Sequence, residues 1–148
     1  MSAGIRLNWT YSPTLSLQLY AQPLVSAGRY TDFKEVARPR TFDFATYGRD
    51  AGTITRTSDG TYIVHPITAN TTDSLTFSDP NFNFVSLRGN AVLRWEYLPG
   101  STVYLVWTQS RSDNENSGDF QFGPSVSRML GARADNIFLV KLTYWWNP

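Results

Sequence analysis

The sequence predicts an all-β protein built around an antiparallel meander of about five long strands. Five segments alternate apolar and polar residues with the period of two that an extended chain requires. The connections between these segments alternate between tight turns and long polar stretches. With 148 residues the chain is long enough for one domain, and we interpret residues 1–148 as a single β domain.

The predicted strands form two hairpins and a final single strand. Their approximate bounds are 5–11, 14–24, 83–98, 101–110 and 136–146. Residues 12–14 make the first tight turn and Pro99-Gly100 the second. Proline suits both turns because its φ angle is preset and it has no N–H to offer a strand ladder.

Two long polar stretches separate these elements, at about 27–80 and 110–135. The first contains Asp59-Gly60 between two short alternating segments, 53–58 and 61–65, which predicts a hairpin with a type I′ turn. The second is rich in Ser, Asp, Asn and Gly, and we expect one brief helix near Ser125–Leu130.

One face of each long strand is apolar. In bacterial outer-membrane barrels, residues that face lipid alternate with residues that face the lumen. The composition is compatible with such a wall, since 15% of residues are aromatic and only 17% are charged. The residues predicted to face lipid or its interface are Leu7, Trp9, Tyr11, Leu17, Leu93, Trp95, Tyr97, Leu105, Trp107, Phe138, Leu142, Tyr144 and Trp146.

The loop lengths predict which way each strand runs. Such barrels have short periplasmic turns and long extracellular loops, so both tight turns are placed in the periplasm. That threading gathers six aromatic residues at one level, where amphipathic rings favour the membrane interface. They are Trp9, Tyr11, Trp95, Tyr97, Tyr144 and Trp146. We therefore expect the bacterial outer membrane as the location and the lipid bilayer as a partner.

The strand count is too small for closure. The smallest membrane barrels have about eight strands, and each unpaired backbone group in lipid costs several kcal/mol. The remainder of a larger barrel, or additional copies of this chain, is expected to supply the missing strands. No run of 18 apolar residues occurs, so we expect no transmembrane helix. The N-terminus does not resemble a signal peptide, so either the chain is a fragment of a longer exported precursor or the membrane interpretation is wrong.

The opposite face carries the charged residues of the long strands. Arg88, Arg94, Glu96 and Lys141 are predicted to face the lumen. They form either a charge ladder that selects ionic solutes or salt bridges that rigidify the interior, and we favour the salt bridges. Lys141 is expected to pair with Glu96 if the strand register permits.

Several segments carry a family resemblance. They are Ser16–Pro23, Arg38–Asp43, Ser86–Tyr97, Pro99–Thr102 and Asp135–Lys141. From about Ile5 to Trp146 the chain resembles the C-terminal region of bacterial outer-membrane proteins of unknown function that carry an N-terminal family 9-like carbohydrate-binding domain. The resemblance implies a C-terminal barrel and carbohydrate as a candidate partner. The carbohydrate-binding domain itself is absent here, so no sugar-binding residues are assigned.

Catalysis is not supported by the residues present. The chain has no cysteine, which excludes disulfides and thiol chemistry, and its only histidine, His65, lacks a nucleophile motif or a second metal ligand. The acids of the long loop form no specific pair: Asp32, Glu35, Asp43, Asp50, Asp59, Asp73 and Asp79. We expect no enzyme and no cofactor.

Metal and nucleic-acid binding are also not expected. Residues 113–119 resemble an oxygen-rich calcium loop but lack its terminal bidentate glutamate. Bases and aromatics interleave in Arg29, Tyr30, Phe33, Lys34, Arg38, Arg40, Phe42 and Phe44. A net charge of +1 gives no electrostatic support for nucleic acid, so a self-packing loop is the simpler interpretation.

Two alternatives remain open at this stage. In a soluble β-sandwich that binds carbohydrate, the apolar faces would pair across a core. In a homo-oligomer, several copies would complete one barrel. Solubility without detergent is the observation that separates the soluble module from both barrel interpretations.

Overall fold

The structure is a computed structural model that describes residues 1–66 and 74–146. The long strands are β1 (Ile5–Ser12), β2 (Leu15–Gly28), β8 (Phe82–Leu98), β9 (Ser101–Glu115) and β10 (Ala134–Thr143). The short strands are β3 (Lys34–Val36), β4 (Phe44–Thr46), β5 (Thr53–Arg56), β6 (Thr61–His65) and β7 (Leu75–Ser78). One helix, α1, spans Phe122–Gly131 within the described residues. The predicted all-β class is confirmed.

The chain divides into two compact units. The sheet unit comprises Met1–Ala27, Asn83–Glu115 and Asp119–Pro148, and the inserted unit comprises Gly28–Phe82 with Asn116–Gly118. The sheet unit holds a five-stranded antiparallel sheet in the order β1-β2-β8-β9-β10, so the predicted meander is confirmed. No helix among residues 1–66 and 74–146 combines the length and the apolar character that a membrane span requires.

Strand β9 is five residues longer than its sequence predicts. Residues 110–115 are polar and have low strand propensity, which is why they resemble a loop. They nevertheless pair with β8, from Arg88 opposite Ser110 to Asn83 opposite Glu115. Arg128 of α1 forms ion pairs with the carboxylates of Asp113 and Glu115. The continuing ladder and these ion pairs override the local preference.

Helix α1 closes the small hydrophobic core of the sheet unit. Met129 is buried against Val25 of β2 and Val85 of β8, with Leu87 and Val126 partly buried beside them. Arg128 fixes the helix because its Nη2 donates to the backbone carbonyl of Asn83 at 2.7 Å. The helix is longer than the predicted Ser125–Leu130 and covers the end of β2 and β8 that lies away from the tight turns.

The β5–β6 hairpin of the inserted unit forms where the sequence places it, but its turn is different. A type I′ turn needs positive φ at both central residues. Here Gly60 has φ 87° while Asp59 does not lie in that region. The N–H of Gly60 donates to the carbonyl of Thr57, and the Asp59 carboxylate accepts from the hydroxyls of Thr57 and Thr61. The predicted type I′ turn is therefore wrong, because these side-chain bonds stabilise Asp59 at negative φ.

The inserted unit has its own aromatic cluster. Phe33, Tyr62 and Phe77 lie with ring centroids 4.9 to 5.3 Å apart, on the loop before β3 and on β6 and β7. Val64 of β6 is the most deeply buried apolar side chain of this unit, at 2% exposure. The stretch predicted as a long loop thus contains packed strands.

Candidate functional site

The register of the sheet unit brings the apolar residues of its long strands to one side. Trp9 lies opposite Leu17, and Leu105 lies opposite both Leu93 and Val140. Residues opposite one another across a ladder share a face. This apolar face comprises Ile5, Leu7, Trp9, Tyr11, Leu17, Leu19, Ala21, Gly89, Ala91, Leu93, Trp95, Tyr97, Val103, Leu105, Trp107, Phe138, Val140 and Leu142. All the strand residues predicted to face lipid belong to it.

The apolar face is largely exposed. Leu105 is 45% exposed, Trp107 40%, Leu142 65% and Phe138 75%. Contiguous apolar patches beyond a few hundred Å² are rare on soluble monomers and mark contact with a partner or a membrane. Among the described residues the buried apolar side chains are Val25, Ala51, Val64, Val85 and Met129, so this face forms no core.

Aromatic pairs border the apolar face at its tight-turn end. Trp9 and Tyr11 of β1 stack with centroids 5.0 Å apart, and Trp95 and Tyr97 of β8 meet edge to face at 6.1 Å. Tyr144 and Trp146 follow β10 and are 65% and 75% exposed. The chain there stays beside the sheet, because the Trp145 N–H donates to Ser101 Oγ at 2.9 Å. These are the six aromatic residues that sequence analysis placed at one level.

The line through these aromatic pairs crosses the strands obliquely. The pair on β1 is centred on Thr10, which lies opposite Ser16 of β2. The Glu96 N–H donates to the Thr14 carbonyl at 2.8 Å, which places Glu96 of β8 opposite Thr14. Because the two strands are antiparallel, Arg94 then lies opposite Ser16 of β2. The aromatic pair on β8 is centred on Glu96, which is two residues closer to the turn.

The same offset recurs across the other half of the sheet. The row through Glu96 passes Thr102 of β9 and reaches Thr143 of β10. The aromatic pair that follows β10, Tyr144 and Trp146, is centred on Trp145, which is two residues beyond Thr143 toward the tight-turn end. A rise of about 3.4 Å per residue and a strand spacing of about 4.8 Å turn this offset into a tilt of about 35°. Strands of outer-membrane barrels tilt by about 35–45° from the barrel axis.

The other end of the apolar face is marked by polar groups. Asn136 Oδ1 accepts from Trp107 Nε1 at 3.0 Å and from Gln109 Nε2 at 2.9 Å. Gln109 lies opposite Gly89, and from Gly89 to Tyr97 strand β8 rises about 27 Å, or about 22 Å when projected at that tilt. The apolar band of an outer-membrane barrel is about 25 Å tall. The height of the face therefore matches that band.

The opposite face of the sheet unit is predominantly polar. Its side chains bond across strands, as when Asn90 donates to Thr108 Oγ1 at 3.0 Å. Arg94 Nη2 lies 3.0 Å from Glu96 Oε2, which is the salt bridge favoured for this face. Lys141 lies opposite Tyr104, whereas Glu96 lies opposite Thr102, so the register separates Lys141 from Glu96 by one row of this face. The expected Lys141–Glu96 pair does not form, because Arg94 lies closer.

We identify the family from the whole-chain comparison. The model of DUF5916, described as a domain of unknown function, matches residues 7–147. The chain belongs to this family. No curated protein and no solved structure matches the chain. The family match spans both units, so the inserted unit is part of the DUF5916 domain.

The candidate residues of the inserted unit do not converge on a site. His65 is exposed at the end of β6. Asp43 pairs with Arg38, and Asp79 pairs with Arg56 at 2.7 Å. Asp73 lies outside the described residues. No group of three or more metal-ligating side chains occurs within residues 1–66 and 74–146.

Hydrogen bonds explain the shifted ionisation of several loop groups. The backbone N–H of Thr46 lowers the pKa of Asp50, and the N–H of Asn81 lowers that of Asp79. The Thr57 hydroxyl lowers the pKa of Asp59. Tyr47 donates to Glu35 Oε2 at 2.6 Å, and this bond with partial burial raises the pKa of Tyr47 to about 12. Each shift belongs to a local turn or strand contact.

The interleaved bases and aromatics of residues 29–44 are also dispersed. Phe33 lies in the aromatic cluster of the inserted unit, whereas Phe42 is 94% exposed. Arg38 is engaged with Asp43, and Glu35 with Tyr47. These contacts agree with a self-packing segment.

Two features of the sheet unit could not be predicted from the sequence. The position of α1 on the sheet depends on Arg128, whose partners lie 13 to 45 residues away in the chain. A cavity on the polar face brings Arg88 together with Arg133. Arg133 precedes β10 in a stretch with no periodic pattern, and only the register of β10 against β9 shows where it lies.

Proposed function

We propose that this domain is part of the wall of a bacterial outer-membrane β-barrel. In this arrangement the apolar face contacts lipid and the polar face lines the lumen. The tight turns lie in the periplasm, while the inserted unit and the β9–β10 connection lie outside the cell. Its role is structural, and ligands would reach it through the lumen or the extracellular segments. In longer relatives we expect a family 9-like carbohydrate-binding domain to precede the barrel, with carbohydrate as a candidate ligand.

The observation that carries this proposal is the exposed apolar face bordered by an oblique aromatic line. Moving a half-exposed Leu or Phe from water to hydrocarbon gains about 1 to 2 kcal/mol. Summed over a face of this size, lipid contact favours the membrane by an amount on the order of 10 kcal/mol. The tilt of about 35° is an independent support, because neither strand order nor composition requires it.

A soluble β-sandwich would need a second layer over the same face. In the described part of the sheet unit, α1 covers only the end formed by Val25, Val85 and Leu87. The middle of the face, around Leu105 and Val140, carries no cover from that unit. Lipid is the simplest environment for it.

The barrel needs further strands at both edges of the sheet. Strands β1 and β10 each have one hydrogen-bonded neighbour in the described sheet. Backbone groups exposed to lipid cost several kcal/mol each, so these edges must pair with other strands. The partners proposed are the remainder of a larger barrel or additional copies of this chain.

Single-cysteine labelling of β9 tests the proposal. The chain has no cysteine, so a nitroxide on one introduced cysteine reports a unique position. Leu105→Cys and Val103→Cys sample the apolar face, and Tyr104→Cys and Val106→Cys sample the polar face. Ser58→Cys in the inserted unit is the control for a site in water.

In lipid vesicles the labels at 103 and 105 should be accessible to oxygen and protected from a water-soluble relaxant. The labels at 104 and 106 should show less oxygen access, giving a period of two. Equal access of all four labels to the water-soluble relaxant would contradict the proposal. Labels at 103 and 105 that neither reagent reaches, in a chain monodisperse without detergent, would support the soluble sandwich instead.

A further inference from the structure

A cavity of about 560 Å³ lies on the polar face of the sheet unit, at the end away from the tight turns. Its floor is made by small side chains, because Ser86 lies opposite Ser112 and Ser110 lies opposite Arg88. Serines leave space where longer side chains would fill it. Arg133, directly before β10, completes the lining.

Two of the three arginines that line this cavity, Arg88 and Arg133, are available for a ligand. Within residues 1–66 and 74–146, the guanidinium groups of Arg88 and Arg133 make no hydrogen bond or ion pair, and both residues are exposed. Arg111 also borders the cavity, but its guanidinium is engaged with Gln109 Oε1 and the Leu130 carbonyl. The guanidinium groups that keep free donors for a ligand are therefore those of Arg88 and Arg133, while the charge of Arg111, bonded only to neutral acceptors, adds to the positive potential of the cavity.

The cavity lining also contains one carboxylate, which carries the opposite charge to the arginines. Asp135 borders the cavity and lies opposite Ser110, in the same row as Arg88. Three arginines and one aspartate leave the cavity with a net positive charge. Asp135 therefore weakens the attraction for an anion without cancelling it.

Guanidinium groups and hydroxyls together match an oxyanion. The planar fork of arginine binds carboxylate or phosphate through two parallel hydrogen bonds, and serine hydroxyls donate further bonds. Leu24 and Phe84 add apolar wall to the same cavity. A solute with a carboxylate or phosphate group and a small carbon skeleton fits this lining and volume.

We propose that this cavity binds a small solute through its oxyanion group, held by Arg88 and Arg133. The placement of the cavity in a barrel lumen rests on the function proposed above, whereas the binding chemistry does not. As a lumen site it would retain anionic solutes on their way through the barrel. Arg88 thus has a different role from Arg94 and Glu96, which form an ion pair with each other nearer the tight turns on the same face.

Binding of matched sugars to the purified full chain tests the proposal. The probes are glucuronate, glucose 6-phosphate and uncharged glucose, followed by calorimetry in detergent, and in buffer alone if the chain is soluble without detergent. Both charged sugars should bind, and glucose should bind at least about tenfold more weakly. A preference between the two charged sugars identifies carboxylate or phosphate as the better source of the oxyanion.

Three variants locate the site. Arg88→Gln should weaken binding of the charged sugars by about tenfold, as expected for the loss of a charge-assisted bond worth about 1.4 kcal/mol. Asp135→Asn should tighten binding about two- to threefold, because it removes a like charge that borders the same cavity. Arg94→Gln is the control, because it removes the same charge from the same strand and face outside the cavity.

Equal binding of glucose and glucuronate, or equal losses in Arg88→Gln and Arg94→Gln, would overturn the proposed site. Tighter binding in Asp135→Asn keeps the test informative even if an arginine variant folds poorly. A chain that is soluble without detergent but shows this pattern would refute the barrel and leave the oxyanion site standing.

Discussion

Leu19→Arg tests whether the apolar face contacts lipid, because it places a charge in the middle of that face. Leu19 lies opposite Leu7, is 37% exposed, and sits between the aromatic line and the Gln109–Asn136 row. At that depth it would lie near the bilayer midplane. An arginine on the lipid face there costs about 2 to 4 kcal/mol, whereas near the interface it costs about 0 to 1 kcal/mol.

Gln18→Arg is a matched control for this substitution. Gln18 precedes Leu19 on the same strand, at the same depth, and its side chain is on the polar face opposite Asn8. The new side chain is identical, so any difference between the two variants reports their faces. We expect Gln18→Arg to change stability by less than about 0.5 kcal/mol, as surface substitutions usually do.

Urea unfolding from phosphatidylcholine vesicles, followed by tryptophan fluorescence, measures both variants. Provided the slope of the transition is unchanged, the shift of the midpoint gives the change in the free energy of unfolding. A gap of about 2 kcal/mol or more between Leu19→Arg and Gln18→Arg is the expected result. Equal stabilities would refute the assignment of faces, and so would a Leu19→Arg variant that is stable in buffer without lipid.

Three further predictions concern other parts of the chain. Arg128→Met keeps an apolar side chain of similar length but loses the contacts to Asp113, Glu115 and Asn83. The packing of α1 on the sheet should weaken by about 1.5 to 3 kcal/mol, measured as faster hydrogen exchange of the helix amides. Glu35→Gln should lower the pKa of Tyr47 from about 12 toward about 10, followed by tyrosinate absorbance. In the unsubstituted protein this contact stabilises fully below about pH 10, and its contribution is lost as the pH rises through about 12, because the folded-state pKa is raised. Gly52→Ala should destabilise the inserted unit strongly in thermal unfolding, because φ is 25° and a Cβ would lie 1.7 Å from the His65 carbonyl oxygen, whereas Gly123→Ala meets no atom within 4 Å and should not destabilise.

Period-two alternation made the five-strand sheet predictable. A shift of one residue would move every apolar side chain to the other face, so alternation and tight turns together fix the register. The pairs Leu7–Leu19 and Leu105–Val140 follow from that constraint. The lipid-facing candidates on the strands could therefore be assigned to one face before any coordinates.

The remaining features depend on contacts between residues distant in the chain. The end of β9 is stabilised by Arg128, and the turn at Asp59 by two threonine hydroxyls. The oxyanion cavity needs Arg88 of β8 and Arg133, which directly precedes β10. No periodicity encodes such pairs, since they become neighbours only after the strands have paired.

The inserted unit occupies the connection between two adjacent strands, β2 and β8. The ends of its main segment, Gly28 and Phe82, touch, since a Cβ on Gly28 would lie 2.6 Å from the Phe82 ring. The two ends of this module are thus about as close as those of an ordinary hairpin turn. Evolution or protein engineering could therefore replace residues 29–81 with another segment, or with a short loop, because the two strand ends that must be joined already lie side by side.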